Sequence, residues 1–384
     1  MTNRYTTHFS IPEGVTTLPG RYYTDPEILR QEIEGVFERM WVHAGRIDEV
    51  PEPGDYVTRQ LGNESVIIVR GEDDRIRAFY NNCRHRGTRI CNEHRGHVMG
   101  SFQCPYHAWT YALDGKLVGA PHMNELPDFD KSQYPLLAVG CEVWDGHIFI
   151  NLDSERRPLR AQLDGLPKLL GHYHMGEMRR WARHEYDIKA NWKLIVENYS
   201  ECYHCPLIHP ALNRVTHYLS GKNHVRENSY NGGYQNIGNA FCTLTVEGKK
   251  SREPFKGLKG KDLNRVYYYV VYPNLLLSLA PDYMMTHTLW PKEPGVSHVV
   301  CEWHFDREQM GKPGFDGSDA VKFWDMTNKE DWHVCEISQR GVASRGYAPG
   351  PFSNQEEMLY AFDRWVLERL EGPKLRPLKK AQAR

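Results

Sequence analysis

The sequence has no run of about 18 apolar residues, the length a membrane-spanning helix needs. Its first stretch, Met1 to Pro19, is mostly polar and has no apolar segment of the kind that export signals carry. These absences predict a cytoplasmic protein with no membrane partner. An excess of charge of either sign is lacking: 48 Lys and Arg stand against 49 Asp and Glu, a formal net charge of -1. A chain so balanced offers no electrostatic footprint for nucleic acid or an anionic surface. No Gly-x-Gly-x-x-Gly run follows an expected strand, so no nicotinamide or flavin domain is expected within this chain. Internal repeats and low-complexity tracts are missing too. Nine cysteines, an odd number without an export signal, fit reduced thiols and metal ligands better than a disulfide framework.

At 384 residues the chain exceeds what one hydrophobic core usually organises, so two domains are expected. Thr24 and Glu27 are spaced as a capping box around Pro26, and Ile28, Leu29, Ile33, Val36, Phe37 and Met40 recur at helical spacing, predicting a helix that ends near Trp41. Residues 1–44 are therefore taken as an N-terminal helical segment packing on the larger domain. After Glu49-Val50-Pro51-Glu52-Pro53-Gly54 short apolar runs appear, Val66 to Val69 and Ile148 to Ile150, separated by turns. Residues 45–153 read as a small all-β domain with loops suited to metal. In residues 154–384, strands are expected over His184 to Ala190 and over Val266 to Leu279, the latter broken at Pro273-Asn274. Helices are expected over Asn191 to Cys205, Ala320 to Gly341 and Asn354 to Leu370. The fold class is thus α+β.

Within the β-rich segment, Cys83-Arg84-His85 faces Cys104-Pro105-Tyr106-His107 across residues 86–103. Two Cys-His pairs are the inventory of a [2Fe-2S] centre in which imidazoles replace two thiolates on one iron, raising its potential. Zinc is the alternative, but zinc modules usually pair like ligands, whereas each loop here mixes them. Cys91, His94 and His97, between the loops, match no second metal pattern and read as surface or packing.

A cluster of this kind only moves electrons, so a site that uses them is sought downstream. Glu201 and His204 are three apart and would share a helix face, and Pro206 would break the helix so that His209 swings back towards the same point. Two histidines and a carboxylate make the facial triad of oxygen-activating iron, with positions left open for dioxygen. The competing reading is zinc on Cys202, His204, Cys205 and His209. That would close the metal and leave the cluster without a destination; otherwise Cys202 and Cys205 are small packing residues.

The segments Cys83-Arg84-His85-Arg86-Gly87 and Cys104-Pro105-Tyr106-His107-Ala108-Trp109, with Tyr80-Asn81-Asn82 before and Tyr111 to Lys116 after, resemble the cluster motif of Rieske ring-hydroxylating oxygenase large subunits. Asn191-Trp192-Lys193 through His209-Pro210 resembles the same family's mononuclear-iron motif. The resemblance implies a Rieske [2Fe-2S] domain preceding a larger helix-grip-like catalytic domain with a central antiparallel sheet. It implies Cys83, His85, Cys104 and His107 as cluster ligands, with His204 and His209 binding Fe(II). Position 201, usually Asp in this family and Glu here, is implied to bridge an iron-ligating histidine and His85 or His107 of a neighbouring subunit in a trimer. Asn198 matches a family asparagine close to the iron. The third ligand is expected from Lys329-Glu330-Asp331-Trp332: Asp331, with Glu330 or Asp325 as alternatives.

The implied activity is that of a terminal oxygenase. It takes O2, and electrons from a separate ferredoxin or flavin reductase that draws on NAD(P)H, to hydroxylate or oxidatively demethylate a small organic substrate. A small beta subunit is compatible with this. The run Glu201-Cys202-Tyr203-His204-Cys205 leans towards quaternary ammonium compounds such as glycine betaine, with Tyr267 to Tyr269, Tyr283 and Trp290 as candidate pocket walls. Alternatives are aromatic ring dihydroxylation and, from another class, a Rieske electron carrier without oxygenase chemistry.

Overall fold

The computed structural model describes residues 11–226 and 229–371. Residues 1–10 of the expected N-terminal segment and 372–384 of the expected catalytic segment lie outside the described residues. The chain divides into two compact units, one spanning Ile33–Leu159 and one built from the chain on both sides of it.

The Ile33–Leu159 unit opens with a π-helical turn, Ile33–Phe37, and is otherwise built on strands. Seven of them form an antiparallel sheet in the order Val42–Arg46, His147–Asn151, Ala138–Trp144, Ile76–Tyr80, Glu64–Arg70, Asp55–Leu61 and Arg95–His97. A second sheet joins Ser101–Gln103, Thr110–Ala112 and Leu117–Gly119. The apolar run Val66 to Val69 is wholly buried, as an uninterrupted apolar strand must be when both its faces are covered. The strand Val42–Arg46 pairs with His147–Asn151 across the 44/45 position where the sequence suggested a boundary, so the sheet starts upstream of it.

In the other unit the capping box expected of Thr24 does not form. Thr24 closes the preceding turn, Arg21–Thr24, and its hydroxyl donates to the Gly20 carbonyl. Asp25 takes the capping role, accepting from the Glu27 N–H at 2.8 Å. The next helix, Pro26–Glu32, ends on a buried carboxylate.

The central sheet of this unit is antiparallel throughout, in the order Met178–Ile188, Val296–Asp306, Met284–Glu293, Leu275–Leu279, Arg265–Val271, Tyr230–Asn236 and Lys222–Arg226. The break expected at Pro273-Asn274 is the turn between Arg265–Val271 and Leu275–Leu279. A 25-residue helix, Ser318–Val342, lies on the sheet: Asn328 meets His287, and Trp324 donates to the Tyr283 hydroxyl. The last described helix is Glu357–Leu370. A sheet embraced by one long helix, with a β-rich unit elsewhere in the chain, is the α+β architecture expected.

The helix expected over Asn191 to Cys205 is shorter. Asn191 caps Trp192–Tyr199 by accepting from the Lys193 N–H, and Ser200 closes the helix by turning its hydroxyl back on the Val196 carbonyl. Residues 201–204 are therefore outside a helix, and Glu201 and His204 share a turn rather than a helix face. Pro206 sits in the first turn of the short helix Cys205–Ile208, where its missing N–H costs nothing, so it starts that helix and breaks none.

Lys193 and Glu32, both fully buried, meet at 2.6 Å, and Trp192 donates to the same carboxylate at 2.7 Å. Taking one charge from such a pair strands the other in a low-dielectric interior. Glu32→Gln is therefore expected to lower unfolding free energy by about 3–5 kcal/mol in a urea titration; an unchanged midpoint and slope would refute this reading of the pair.

Candidate metal centres

The two Cys-His loops of the β-rich unit are built alike. Cys83 and Cys104 each accept, through their carbonyls, from the N–H four residues on, at Gly87 and Ala108. Each cysteine N–H donates to the carbonyl five residues on, at Thr88 and Trp109. The closing residue has positive φ in both, 77° at Gly87 and 55° at Ala108, which is why glycine suits the first. Both cysteines are buried, whereas His85 is exposed and His107 half-buried. The imidazoles lie 4.7 Å apart by ring centroids, and His85 stacks on Trp109 at 4.9 Å. Burial, then His107 and Arg86, hold the His85 imidazole below its ordinary pKa, favouring the neutral form a ligand needs. The Tyr111 hydroxyl stands 3.2 Å from Cys83 Sγ, a placement that tunes a thiolate-bound iron. Two buried sulfurs beneath two near-surface imidazoles fit a [2Fe-2S] group whose histidine side faces an electron partner. Of the residues between the loops, Cys91 is core packing and His97 pairs with Asp55 at 2.9 Å.

In the other unit, His204, His209 and Asp331 bring one ligand atom each within 4.8 Å of one another. His209 Nε2 lies 2.8 Å and His204 Nε2 3.4 Å from Asp331 Oδ1, with the rings at 77°. The outer nitrogens are oriented separately. His204 Nδ1 meets Glu201 Oε1 at 2.6 Å and His209 Nδ1 meets Glu330 Oε2 at 2.7 Å. Both Nε2 atoms thus converge on Asp331, leaving Nδ1 to carboxylates, as metal-binding histidines are commonly held. Glu330 stands behind His209 and Asp325 is occupied by Tyr186 and Lys329, so of the three candidate acids Asp331 alone faces both imidazoles. Glu330 as an orienting group was not read from sequence; its adjacency to Asp331 was the available signal. Asn198 borders the same pocket.

Cys202 and Cys205 are joined in a disulfide, correcting their reading as reduced packing residues and, equally, as zinc thiolates. The turn that closes after Glu201 brings their Cα atoms to 4.9 Å, within bonding reach. The other seven cysteines are free.

Burial alone would lower the His204 pKa, but the hydrogen bonds its imidazole donates to Asp331 and Glu201 outweigh it and raise it to about 10. His209 is raised on the same balance, by Asp331 and Glu330 against burial. Asp331, which burial would raise, is lowered by the two imidazoles. A ligand imidazole must be neutral, so a metal held here would displace these protons and its affinity would fall as pH falls. Adding Fe(II) to iron-free protein at neutral pH should release about two protons per iron, read with an indicator dye; no release would contradict the ligand set.

The pocket at these residues is walled by the rings of Tyr199, Tyr268 and Trp324, with Asn223 and Gln235 among its polar members; the Tyr234 ring, opposite Tyr267 on the next strand, is on the other face. Of the aromatics expected from sequence, Tyr268 alone lines it. Tyr267 and Tyr269 point to the opposite face, where Tyr269 meets His224 and Tyr267 packs on Tyr173. Tyr283 supports Trp324 from behind, and Trp290 is not part of the lining.

A family model described as the Rieske [2Fe-2S] domain matches residues 40–130, and one described as the ring hydroxylating alpha subunit (catalytic domain) matches residues 175–372. The chain is thus an oxygenase subunit with two kinds of iron centre, a Rieske [2Fe-2S] cluster and a mononuclear iron. It belongs to the Rieske ring-hydroxylating oxygenase alpha subunits. Among its relatives, the carnitine monooxygenase oxygenase subunit of Escherichia coli is 32% identical over 88% of this chain and 87% of its own length. The glycine betaine monooxygenase oxygenase subunit of Chromohalobacter salexigens is 30% identical over 90% and 83%. The solved quaternary ammonium Rieske monooxygenase CntA with gamma-butyrobetaine is 25% identical, covering 93% of this chain and 96% of its own, with a TM-score of 0.77. Naphthalene 1,2-dioxygenase from Rhodococcus sp., at 21% identity and a TM-score of 0.73, shares the fold. Among the described residues no helix is long and apolar enough to cross a membrane.

Proposed function

We propose that His204, His209 and Asp331 hold the mononuclear iron, that Cys83, His85, Cys104 and His107 hold the cluster, and that the substrate is a small quaternary ammonium compound. The observation that carries the substrate reading is the pocket lining: the aromatic rings of Tyr199, Tyr268 and Trp324, the carboxylates of Glu201 and Asp331, and, among the described residues, no lysine or arginine. Ring faces and carboxylates attract a cation, and a quaternary ammonium offers no N–H that would demand a hydrogen-bond acceptor. The likeness to oxygenase subunits named for glycine betaine and carnitine supports the same class.

When bound, the cluster supplies single electrons and the mononuclear iron reduces dioxygen. The balance is a substrate C–H, O2, two electrons and two protons giving C–OH and water, with the electrons from a separate NAD(P)H-dependent reductase. Hydroxylation of an N-methyl group yields a carbinolamine, which collapses to an amine and formaldehyde. Asp331 and the two imidazoles would hold the metal, and the aromatic wall would present the methyl group to the space beside them. Asn198 borders the space where substrate and oxygen meet.

Glu201 orients His204 through Nδ1, and its other oxygen accepts from the Tyr203 and His204 N–H groups. A carboxylate has about four acceptor sites, so one is left for an imidazole of a neighbouring subunit, His85 or His107, in a cytoplasmic homotrimer. Such a bridge would couple the two centres.

The test is oxygen uptake with a generic reductase against a panel of quaternary amines and aromatic acids. Coupled uptake with formaldehyde from an N-methyl ammonium is expected. Turnover of the aromatic acids alone, with cis-diol products, would put the chain with the ring dioxygenases instead.

A further inference from the structure

Behind the mononuclear site lie two carboxyl groups, Glu197 half-buried and Asp363 buried, that the chemistry above does not use. Glu197 is on the Trp192–Tyr199 helix and Asp363 on Glu357–Leu370, and their carboxyls share a hydrogen bond. Asp363 is 5% exposed, and its Oδ1 has no protein partner among the described residues. The Tyr23 hydroxyl donates to Glu197 Oε1 at 2.9 Å. The cation facing both acids is Lys193, which Glu32 already holds at 2.6 Å. Two carboxylates so close, with their cation spoken for, cannot both be ionised, so the pair keeps one proton.

The pair is not sealed off. Glu197 lines a cavity of about 150 Å³ whose other walls include Asn198, Glu201, His204, Cys335 and Ser338. One water needs only about 10–15 Å³ of such space, so a short water chain fits between the Glu197 carboxyl and the residues of the oxygen-reducing site. The Cys335 thiol on Ser318–Val342 is pushed up by burial and by Asp331 and Glu197, so it stays protonated and does not compete for this role.

We infer that Glu197 and Asp363 form a proton-storing pair that feeds the oxygen-reducing pocket through this cavity. Glu197 releases its proton to cavity water, which passes one on towards the pocket. Asp363, held well above the usual carboxylate range by burial and then by Glu197, keeps its proton throughout; Glu197 is reprotonated from solvent after each transfer, so two transfers supply the two protons consumed per oxygen with no net change in the pair. Glu197 touches neither substrate nor iron in this account; it acts through water. Burial, countered by Tyr23 and Lys193, raises Glu197 to about 7, which suits a group that must both hold and release a proton near neutral pH. The inference rests on His204, His209 and Asp331 holding the iron.

The experiment compares the full-length protein with Glu197→Gln and Asp363→Asn. In iron-free protein at neutral pH, infrared spectra should show a protonated-carboxyl band that shifts in D2O and disappears in both variants. In reconstituted protein with unchanged iron content and cluster spectrum, Glu197→Gln should turn over about a hundredfold more slowly. It should also divert oxygen to peroxide. The wild-type rate should fall as pH rises through neutrality, and the variant rate should lose that dependence. Asp363→Asn, further from the pocket, should show the same loss of pH dependence, which serves where Glu197→Gln does not fold. Absence of the band in wild type, or variants with the wild-type rate and pH profile, would overturn the relay. If instead His204→Ala retained its mononuclear iron while the band behaved as expected, the iron assignment would have failed and not the carboxyl pair.

Discussion

Replacing His204 by alanine should abolish substrate oxidation while leaving the visible and EPR signatures of the cluster, and its reduction by the reductase, at wild-type strength. The expectation follows from where the two ligand sets lie. Cys83, His85, Cys104 and His107 are in the Ile33–Leu159 unit, and His204, with His209 and Asp331, is in the other. Loss of one of three protein ligands also frees Asp331 and Glu201, two carboxylates left without the imidazole they flank. Mononuclear iron should therefore be lost outright rather than bound more weakly, and metal analysis should show the deficit. A His204→Ala protein that still oxidised substrate would remove the iron from this site. One that lost its cluster spectrum as well would show that the change is structural.

Glu201→Gln should lower the steady-state rate by about 10–100-fold with both iron contents unchanged. The amide can still accept from the Tyr203 and His204 N–H groups that Glu201 now satisfies, so the turn survives. What it loses is the charge beside His204 Nδ1, at 2.6 Å, which orients that imidazole and, in the proposed homotrimer, would complete the bridge to a neighbour's cluster. A pre-reduced protein mixed once with oxygen and substrate should oxidise its cluster and form product more slowly to the same degree, because the cluster's electron must still cross to the iron, while reduction of the cluster by the reductase should keep its wild-type rate. A normal steady-state rate would exclude the bridge, and a pre-reduced cluster that is oxidised at the wild-type rate while product is still lost would place Glu201 in the oxygen chemistry itself.

The cluster loops were readable because each is a local device: cysteine, histidine and the closing residue at Gly87 or Ala108 lie within five positions, and the turn chemistry is visible in the residue types. His204 and His209 were readable for the same reason. Asp331 is 122 residues from His209, and periodicity alone offers no ground for choosing it over Asp325 or Glu330. The choice came from resemblance, and the geometry depends on which face of Ser318–Val342 the sheet covers. The end of the Trp192–Tyr199 helix was missed because Ser200 reads as a tolerable helix residue until its hydroxyl is seen on the Val196 carbonyl. The Cys202–Cys205 bond has no signal in the spacing, which leaves the pair neighbours in a helix or a turn alike; the absence of an export signal favours reduced thiols, and only the coordinates show the bond. Strand parity explains why Tyr268 alone of three consecutive tyrosines reaches the pocket. The Glu197–Asp363 pair has no local signature; only the packing of two helices distant in sequence creates it.

The most direct measurement is the iron, zinc and acid-labile sulfide content of protein purified without oxygen, together with Mössbauer spectra of the iron-57 enriched form. About three irons and two sulfides per chain, with one iron set showing the unequal sites of a cysteine/histidine cluster and a separate high-spin ferrous signal, is the predicted result. Zinc in either position, or a fully loaded chain holding only the cluster irons, would contradict it.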